Sequence, residues 1–146
     1  MDQLERPSDL TWDDRRAWFE DQEARFSTAG VGAPSEQACA LMIDLQAVFC
    51  AGAWAAAVIL AYAIAEAQGS RRAARPEGVS EADWKWLRAL RNRLVHENPS
   101  KAAFTVEDQW MRRDLWEERA RRAVVIAFGA LYPAMAQDVG AAKERS

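Results

Sequence analysis

Residues 45–65 read Leu-Gln-Ala-Val-Phe-Cys-Ala-Gly-Ala-Trp-Ala-Ala-Ala-Val-Ile-Leu-Ala-Tyr-Ala-Ile-Ala and contain no charged side chain. Nine of these 21 residues are alanine, which has the highest intrinsic helix propensity. A capping serine, Ser35, precedes the stretch and Gly69 follows it, so we predict one helix from about residue 35 to about residue 68. Its small side chains allow neighbouring helices to approach closely, which makes it the central helix of a bundle.

The same uncharged run is long enough to span a bilayer. However, Gln46 and Gly52 interrupt its apolar residues, and aromatic and basic anchors do not flank both of its ends. We therefore expect a helix that is buried in protein, and we treat a membrane-associated helical protein as the weaker alternative.

Capping residues and helix breakers divide the rest of the chain into three more helical regions. We predict these helices over about 11–27, 80–96 and 106–136, and we expect a bend or a change of neighbours in the last one near 119–122. No segment shows the sustained alternation that is typical of a strand. The predicted fold class is therefore all-α, an antiparallel bundle of four to five helices.

The composition indicates one globular domain, since half of the 146 residues are hydrophobic and 28% are charged. We predict a single domain over residues 1–146, with a loose N-terminal arm at about 1–10 and a polar tail at about 138–146. The net charge of −3 argues against a protein that coats nucleic acid non-specifically through an overall positive charge. Residues 71–122 nevertheless hold 13 basic and 9 acidic side chains, which allows a locally basic surface. Most arginines of the last predicted helix alternate with acids and are expected on a solvated face rather than in an RNA-binding stripe.

Cysteine usage and the N-terminal sequence bear on the cellular compartment. Cys39 and Cys50 lie about three turns apart on one predicted helix and cannot form a disulfide within it. No secretory signal opens the chain. We therefore expect buried, reduced thiols and a cytoplasmic protein.

The third predicted helix carries the side chains with the most distinctive chemistry. Residues 90–96 read Leu-Arg-Asn-Arg-Leu-Val-His and hold the only histidine of the chain. At about 100° per residue, one polar face of this helix contains Lys85, Arg88, Asn92 and His96. Arg91 instead falls on the flank of the apolar stripe, about 140° from His96. Burying an unpaired guanidinium there would be costly, so Arg91 needs a partner or a groove.

The run Leu90–His96 resembles the signature of HEPN domains, small α-helical bundles with Arg, a polar residue that is often Asn, and then His near the end of the third main helix. The resemblance implies a metal-independent endoribonuclease, usually a homodimer whose two motifs face each other across a cleft. By this analogy His96 is the general acid/base for the ribose 2′-hydroxyl or the leaving 5′-oxygen. Arg91 would stabilise the phosphoryl oxygens, and Asn92 would orient the reacting groups or bind phosphate. The product would be a 2′,3′-cyclic phosphate.

The resemblance carries further expectations about ligands and partners. The substrate would be RNA, and Lys85, Arg88 and Arg93 would add contacts to its backbone. RNA brings its own nucleophile, and a single His without a nearby Cys or acid cluster is a poor zinc site, so we expect no metal and no cofactor. The biological role would be that of a toxin or defence component in a prokaryotic cytoplasm. A small antitoxin of the nucleotidyltransferase type would be its partner.

Plainer interpretations of the same residues stay open. His96 can serve as the cap of a helix C-terminus, where an imidazolium meets the helix dipole favourably. Arg91 can form a structural ion pair with Glu66 or Asp44 of the neighbouring helix. The alternative function is then a non-catalytic HEPN-like domain that binds RNA, a nucleotide or a partner protein. Convergence of Arg91 and His96 on one groove would favour the ribonuclease.

Overall fold

The computed structural model describes residues 4–29 and 33–133. The helices in these ranges are α1 (Asp9–Ala29), α2 (Glu36–Ala51), α3 (Trp54–Ala67), α4 (Glu81–Val95), α5 (Val106–Met111) and α6 (Arg113–Leu131). No strand occurs among the described residues and the helices pack together, which confirms the all-α bundle. Residues 4–8 of the predicted arm precede α1, and the predicted polar tail at about 138–146 lies outside the described residues.

The predicted helix over 35–68 is wrong in one respect, because it is broken at Gly52 and Ala53 into α2 and α3. Gly52 has a φ of 79°, in the left-handed region that glycine adopts without steric cost. Its N–H donates to the Phe49 carbonyl at 3.0 Å, and the Ala53 N–H donates to the Val48 carbonyl at 2.9 Å, which closes the end of α2. The alanines on both sides conceal this break in the sequence, because they favour helix throughout.

Two arginines from distant helices stabilise the joint between α2 and α3. Arg15 of α1 donates to the Cys50 carbonyl at 3.1 Å, and Arg113 of α6 donates to the Gly52 carbonyl at 2.9 Å. Their guanidinium carbons lie 4.7 and 5.8 Å from the centroid of the Trp54 ring. The uncharged run is therefore divided between two shorter helices. No helix in the described part of the chain is long and apolar enough to cross a membrane.

The predicted helix over 106–136 is also divided, at Arg112. The residues near 119–122, where a bend or a change of neighbours was expected, lie inside α6, so the helix is not broken there. Thr105 and Asp108 form a capping box at the start of α5. The Thr105 N–H donates to Asp108 Oδ2 at 2.8 Å, and the Asp108 N–H donates to Thr105 Oγ1 at 3.2 Å. Arg112 donates to Asp108 Oδ1 at 3.1 Å where α5 ends. The described residues thus form six helices rather than four to five, because two long predicted helices are each split once.

The core lies between α3 and α6, and α4 packs beside it. Both central helices carry fully buried alanines, which are Ala57, Ala61 and Ala65 on α3 and Ala120, Ala123 and Ala127 on α6. The apolar stripe predicted for α4 was Leu87, Leu90 and Leu94, of which Leu87 and Leu90 are buried and Leu94 is half-buried against the core. Trp84 of the same helix is buried as well. Of the two cysteines, Cys50 is buried as expected, whereas Cys39 is exposed, contrary to expectation. Because α4 turns its apolar stripe inward, its residues Lys85, Arg88 and Arg93 remain exposed, as does His96 at its C-terminal end.

Candidate functional site

Helix α4 begins at a serine cap and ends at the histidine. Ser80 Oγ accepts the Asp83 N–H at 3.2 Å, and the His96 N–H donates to the Asn92 carbonyl at 2.9 Å. His96 has φ −114° and ψ 93°, so the chain leaves the helix at this residue. Pro99 follows soon after and excludes a helical continuation. The capping bond is made by the backbone of His96, and the residue is exposed, so the cap does not use the imidazole.

His96 lines a groove of about 340 Å³ between the end of α4, the segment that follows it, and α6. Four basic side chains line this groove, namely Arg93, His96, Lys101 and Arg119. The other lining residues are Leu90, Asn98, Ala102 and Ala103. Among the residues that the structure describes, no carboxylate lines it. We call it the basic groove, and its charge favours an anionic ligand.

Local contacts fix parts of the basic groove. The guanidinium carbon of Arg119 lies 4.7 Å from the centroid of the Trp116 ring, and that ring is itself buried. Asn98 Oδ1 accepts the backbone N–H of Ser100 at 3.1 Å and its hydroxyl at 2.8 Å. The Lys101 N–H donates to the Asn98 carbonyl at 3.1 Å, which closes a turn around Pro99. This turn positions the backbone of Lys101, whose exposed side chain lines the groove.

Arg91 lies on the other side of α4, against α3. Its guanidinium carbon is 4.0 Å from the centroid of the Tyr62 ring, and its Nη2 is 3.8 Å from Glu66 Oε2. Only 22% of the Arg91 side chain and 26% of the Glu66 side chain are exposed. The Arg91 Nε is buried and has no hydrogen-bond partner within the described part of the chain. Of the two structural partners expected for Arg91, Glu66 is the one found and Asp44 is not.

Tyr62 is the centre of this second cluster. Its hydroxyl donates to Glu66 Oε2 at 2.6 Å, and its ring stacks on Trp84 with the two centroids 5.1 Å apart. Burial raises the pKa of the Tyr62 hydroxyl, its hydrogen bond to Glu66 raises that pKa further, and Arg91 opposes both effects. Tyr62, Glu66, Trp84 and Arg91 thus form one set of mutual contacts between α3 and α4, which we call the tyrosine cluster.

The structure does not bring the predicted site residues to one place. His96 and Arg93 line the basic groove, whereas Arg91 belongs to the tyrosine cluster and is not a lining residue. Asn92 is half-buried and supplies the backbone carbonyl for the His96 cap. Lys85 lies at the start of α4, 3.4 Å from Glu81, and neither Lys85 nor the exposed Arg88 lines the groove. Arg91 and His96 therefore have separate surroundings in the folded chain, in line with the divergence predicted from helical geometry.

Sequence reasoning did not identify Asn98, Lys101 and Arg119 as site residues. Arg119 stands among acids in the sequence, so it was expected on a solvated face, whereas it is half-buried on Trp116. The position of Lys101 depends on the path of the turn that begins at Asn98, and the sequence does not determine that path. The one signal available was the local excess of basic residues over 71–122.

Residues 4–29 and 33–133 contain no group of three or more His, Cys, Asp or Glu side chains placed to hold a metal ion. His96 instead shares its groove with the cations Arg93, Lys101 and Arg119.

Neither a protein-family model, nor a curated protein, nor a solved structure matches this chain. The resemblance to HEPN domains accordingly depends on the run Leu90–His96 and on the helical bundle, and it stays a prediction.

Proposed function

We propose that this protein binds RNA in the basic groove and cleaves it as a HEPN-like, metal-independent endoribonuclease. The observation that carries the proposal is the surroundings of His96, which shares its groove with Arg93, Lys101 and Arg119. Lysine and arginine side chains bind the phosphates of a nucleic acid backbone. Histidine titrates near neutral pH and can both accept and donate a proton there. Together these groups suit a phosphodiester as the substrate.

The proposed reaction uses the ribose 2′-hydroxyl of the RNA as its nucleophile. The neutral imidazole of His96 accepts the hydroxyl proton while the 2′-oxygen forms its bond to phosphorus. The bond from phosphorus to the 5′-oxygen breaks, and an imidazolium delivers a proton to that leaving oxygen. The products are a 2′,3′-cyclic phosphate and a free 5′-hydroxyl. Arg93, Lys101 and Arg119 stabilise the negative charge that grows on the phosphoryl oxygens.

The proposal includes a homodimer. Within one chain, Arg91 and His96 lie on different sides of α4, so they reach one phosphate only if a second copy supplies one of them. In such a dimer Arg91 of one copy would join the cations of the basic groove at the phosphate beside His96 of the other. Light scattering at micromolar concentration tests this part, and a monomer at that concentration would remove the role that the resemblance gives to Arg91. Arg91 would then only anchor α4 to α3 through Tyr62 and Glu66.

The test of the cleavage reaction uses a mixed-sequence RNA in the presence of EDTA. We expect the wild type to cut it and to leave 2′,3′-cyclic phosphate ends. The His96→Gln variant should cut at least about 100-fold more slowly, because general acid–base catalysis contributes about that much or more. Lys85→Gln, which removes an exposed cation outside the groove, is the matched control and should cut normally. Equal activity of His96→Gln and wild type would refute the catalytic role.

A second candidate function is RNA binding without cleavage. The observation that favours it is the engagement of Arg91 by Tyr62 and Glu66, which keeps the motif arginine away from the basic groove. This candidate predicts that wild type binds RNA and releases no product, and that His96→Gln binds as well as wild type.

The biological setting of the proposal comes from the resemblance to HEPN domains. It is a toxin or defence role in the cytoplasm of a prokaryote, restrained by a small nucleotidyltransferase-type antitoxin. Overexpression in a bacterial host tests it, since the wild type should slow growth and His96→Gln should not. Absence of a growth effect from both versions would remove the toxin role.

A further inference from the structure

A second groove adjoins the basic groove and shares Arg93, Ala102 and Ala103 with it. It encloses about 400 Å³, within the size range of small-molecule sites. Its remaining lining is apolar except for Glu97 and consists of Ala55, Ile59, Leu94, Val95 and Phe104. Glu97 is the only carboxylate among the described residues that line it. We call it the apolar groove.

We propose that the apolar groove binds a nucleobase of the RNA whose phosphate occupies the basic groove, and that Glu97 selects guanine. This inference rests on the proposed function, because it concerns the same RNA at the same end of α4. A nucleobase has apolar faces and a polar edge, and proteins bind unstacked bases between apolar or aromatic side chains. The apolar groove offers a matching combination of aliphatic and aromatic walls with a single carboxylate.

The two grooves are connected in a way that fits one nucleotide. His96 lines only the basic groove and Glu97 lines only the apolar groove, although the two residues are consecutive in the chain. Arg93 lines both grooves. A nucleotide lying across Arg93 would therefore have its phosphate beside His96 and its base beside Glu97.

The walls of the apolar groove suit the faces of a base. Phe104 is half-buried and packs edge-on against Trp116, with the two ring centroids 4.6 Å apart. Leu94 and Ile59 are half-buried as well, so each side chain keeps some surface for a ligand. Base contacts of this kind accept any of the four bases, because each base has such a face. The walls thus explain binding of a base, and selection must come from a polar group.

Glu97 supplies that selection through the pattern of donors on the base edge. An ionised carboxylate only accepts hydrogen bonds, and it accepts two in parallel when two donors stand side by side. The Watson–Crick edge of guanine presents adjacent N1–H and N2–H donors. Adenine and cytosine present one amino donor beside an acceptor nitrogen, and uracil presents one donor between two carbonyl oxygens. Guanine is therefore the base that a carboxylate at this position favours.

The test measures direct binding of the four nucleoside monophosphates, in both the 3′ and 5′ forms, and of inorganic phosphate. We expect wild type to bind guanosine monophosphate about tenfold more tightly than the other three, which is the discrimination of one good bidentate pair. Glu97→Gln should reduce this preference to within about twofold. Glu107→Gln is the matched control, because it removes the same charge from an exposed residue outside both grooves, and it should keep the preference.

The outcomes separate this inference from the proposed function. Equal binding of the four monophosphates by wild type, or a guanine preference that survives Glu97→Gln, overturns the inference and leaves the basic groove as a phosphate site. A preference for another base overturns it as well. A guanine preference that depends on Glu97 supports it even if the protein cuts no RNA, in which case only the cleavage reaction falls. Absence of binding by every monophosphate also overturns the inference, while the cleavage assay decides the proposed function separately.

Discussion

Two side chains that are five residues apart on α4 have opposite surroundings. Arg91 contacts a tyrosine ring and a carboxylate, and most of its side chain is buried in the tyrosine cluster. His96 is exposed at the end of the helix and lines the basic groove. Among the described residues, three other basic side chains line that groove and no carboxylate does. Residue types at a suggestive spacing therefore do not share a role unless the fold gives them a shared surface. In this chain Arg91 is engaged within the protein, whereas His96 is exposed on a groove.

The largest expected effect is the loss of RNA cleavage when His96 is replaced. His96→Gln should lower RNA cleavage at least about 100-fold and leave the free energy of unfolding within about 0.5 kcal/mol of wild type, since His96 is exposed. Parallel cleavage assays and urea unfolding curves measure both quantities. A large loss of stability in this variant would contradict the exposed position of His96, and with it the difference in burial between His96 and Arg91.

The converse variant should act mainly on stability. Arg91→Met keeps an apolar stem, removes the contact with the Tyr62 ring and leaves Glu66 without its cation. Because both partners are mostly buried, we expect a loss of about 1–3 kcal/mol in urea unfolding. Arg88→Met, an exposed arginine on the same helix, is the control and should stay within about 0.5 kcal/mol of wild type. Equal stability of the two variants would show that the tyrosine cluster contributes little.

Two lysines, one inside and one outside the basic groove, test where the RNA binds. Lys101 lines the basic groove, whereas Lys85 lies outside it at the start of α4. Lys101→Gln should reduce the salt dependence of RNA affinity by about 0.7 in the slope of log affinity against log salt, as expected for one lost phosphate contact on a single strand. Lys85→Gln should leave the slope unchanged, although the sequence predicted a backbone contact there. The reverse result would place the RNA along α4 rather than in the groove.

The smallest expected effect concerns the pH dependence of the tyrosine cluster. Folding raises the pKa of Tyr62 above its ordinary value, mainly through burial, so the folded state favours the protonated hydroxyl. The stability from this hydroxyl is complete below about pH 10 and is lost as the pH rises from there through the folded-state pKa. Tyr62→Phe should cost about 1 kcal/mol at neutral pH, through the lost bond to Glu66, and should weaken the decline of stability above about pH 10. Unfolding curves at neutral and alkaline pH measure the difference, and an identical alkaline decline in both proteins would contradict it.

The sequence was informative where periodicity and composition determine the result. The uncharged alanine-rich run predicted the central helical region, and the wheel of the third helix predicted both its buried stripe and the divergence of Arg91 from His96. The break at Gly52 was not predicted, because helix-forming alanines surround it and its stabilising arginines come from α1 and α6. Arg119 could not be assigned to the basic groove for a similar reason, since it reaches the end of α4 only through the packing of α6. Contacts between residues distant in the chain decided each of these features.

The segment that joins the two grooves is fixed at both of its ends. At one end the His96 N–H bonds to Asn92, and at the other the Thr105 N–H and hydroxyl bond to Asp108, at 2.8 and 3.0 Å. The turn at Asn98 adds further bonds between them. We expect such a segment to be preorganised, so that the binding free energy of a ligand is not reduced by the entropic cost of ordering it. Replacing Asp108, which lines neither groove, should then slow the binding of RNA and leave the helical content close to that of wild type.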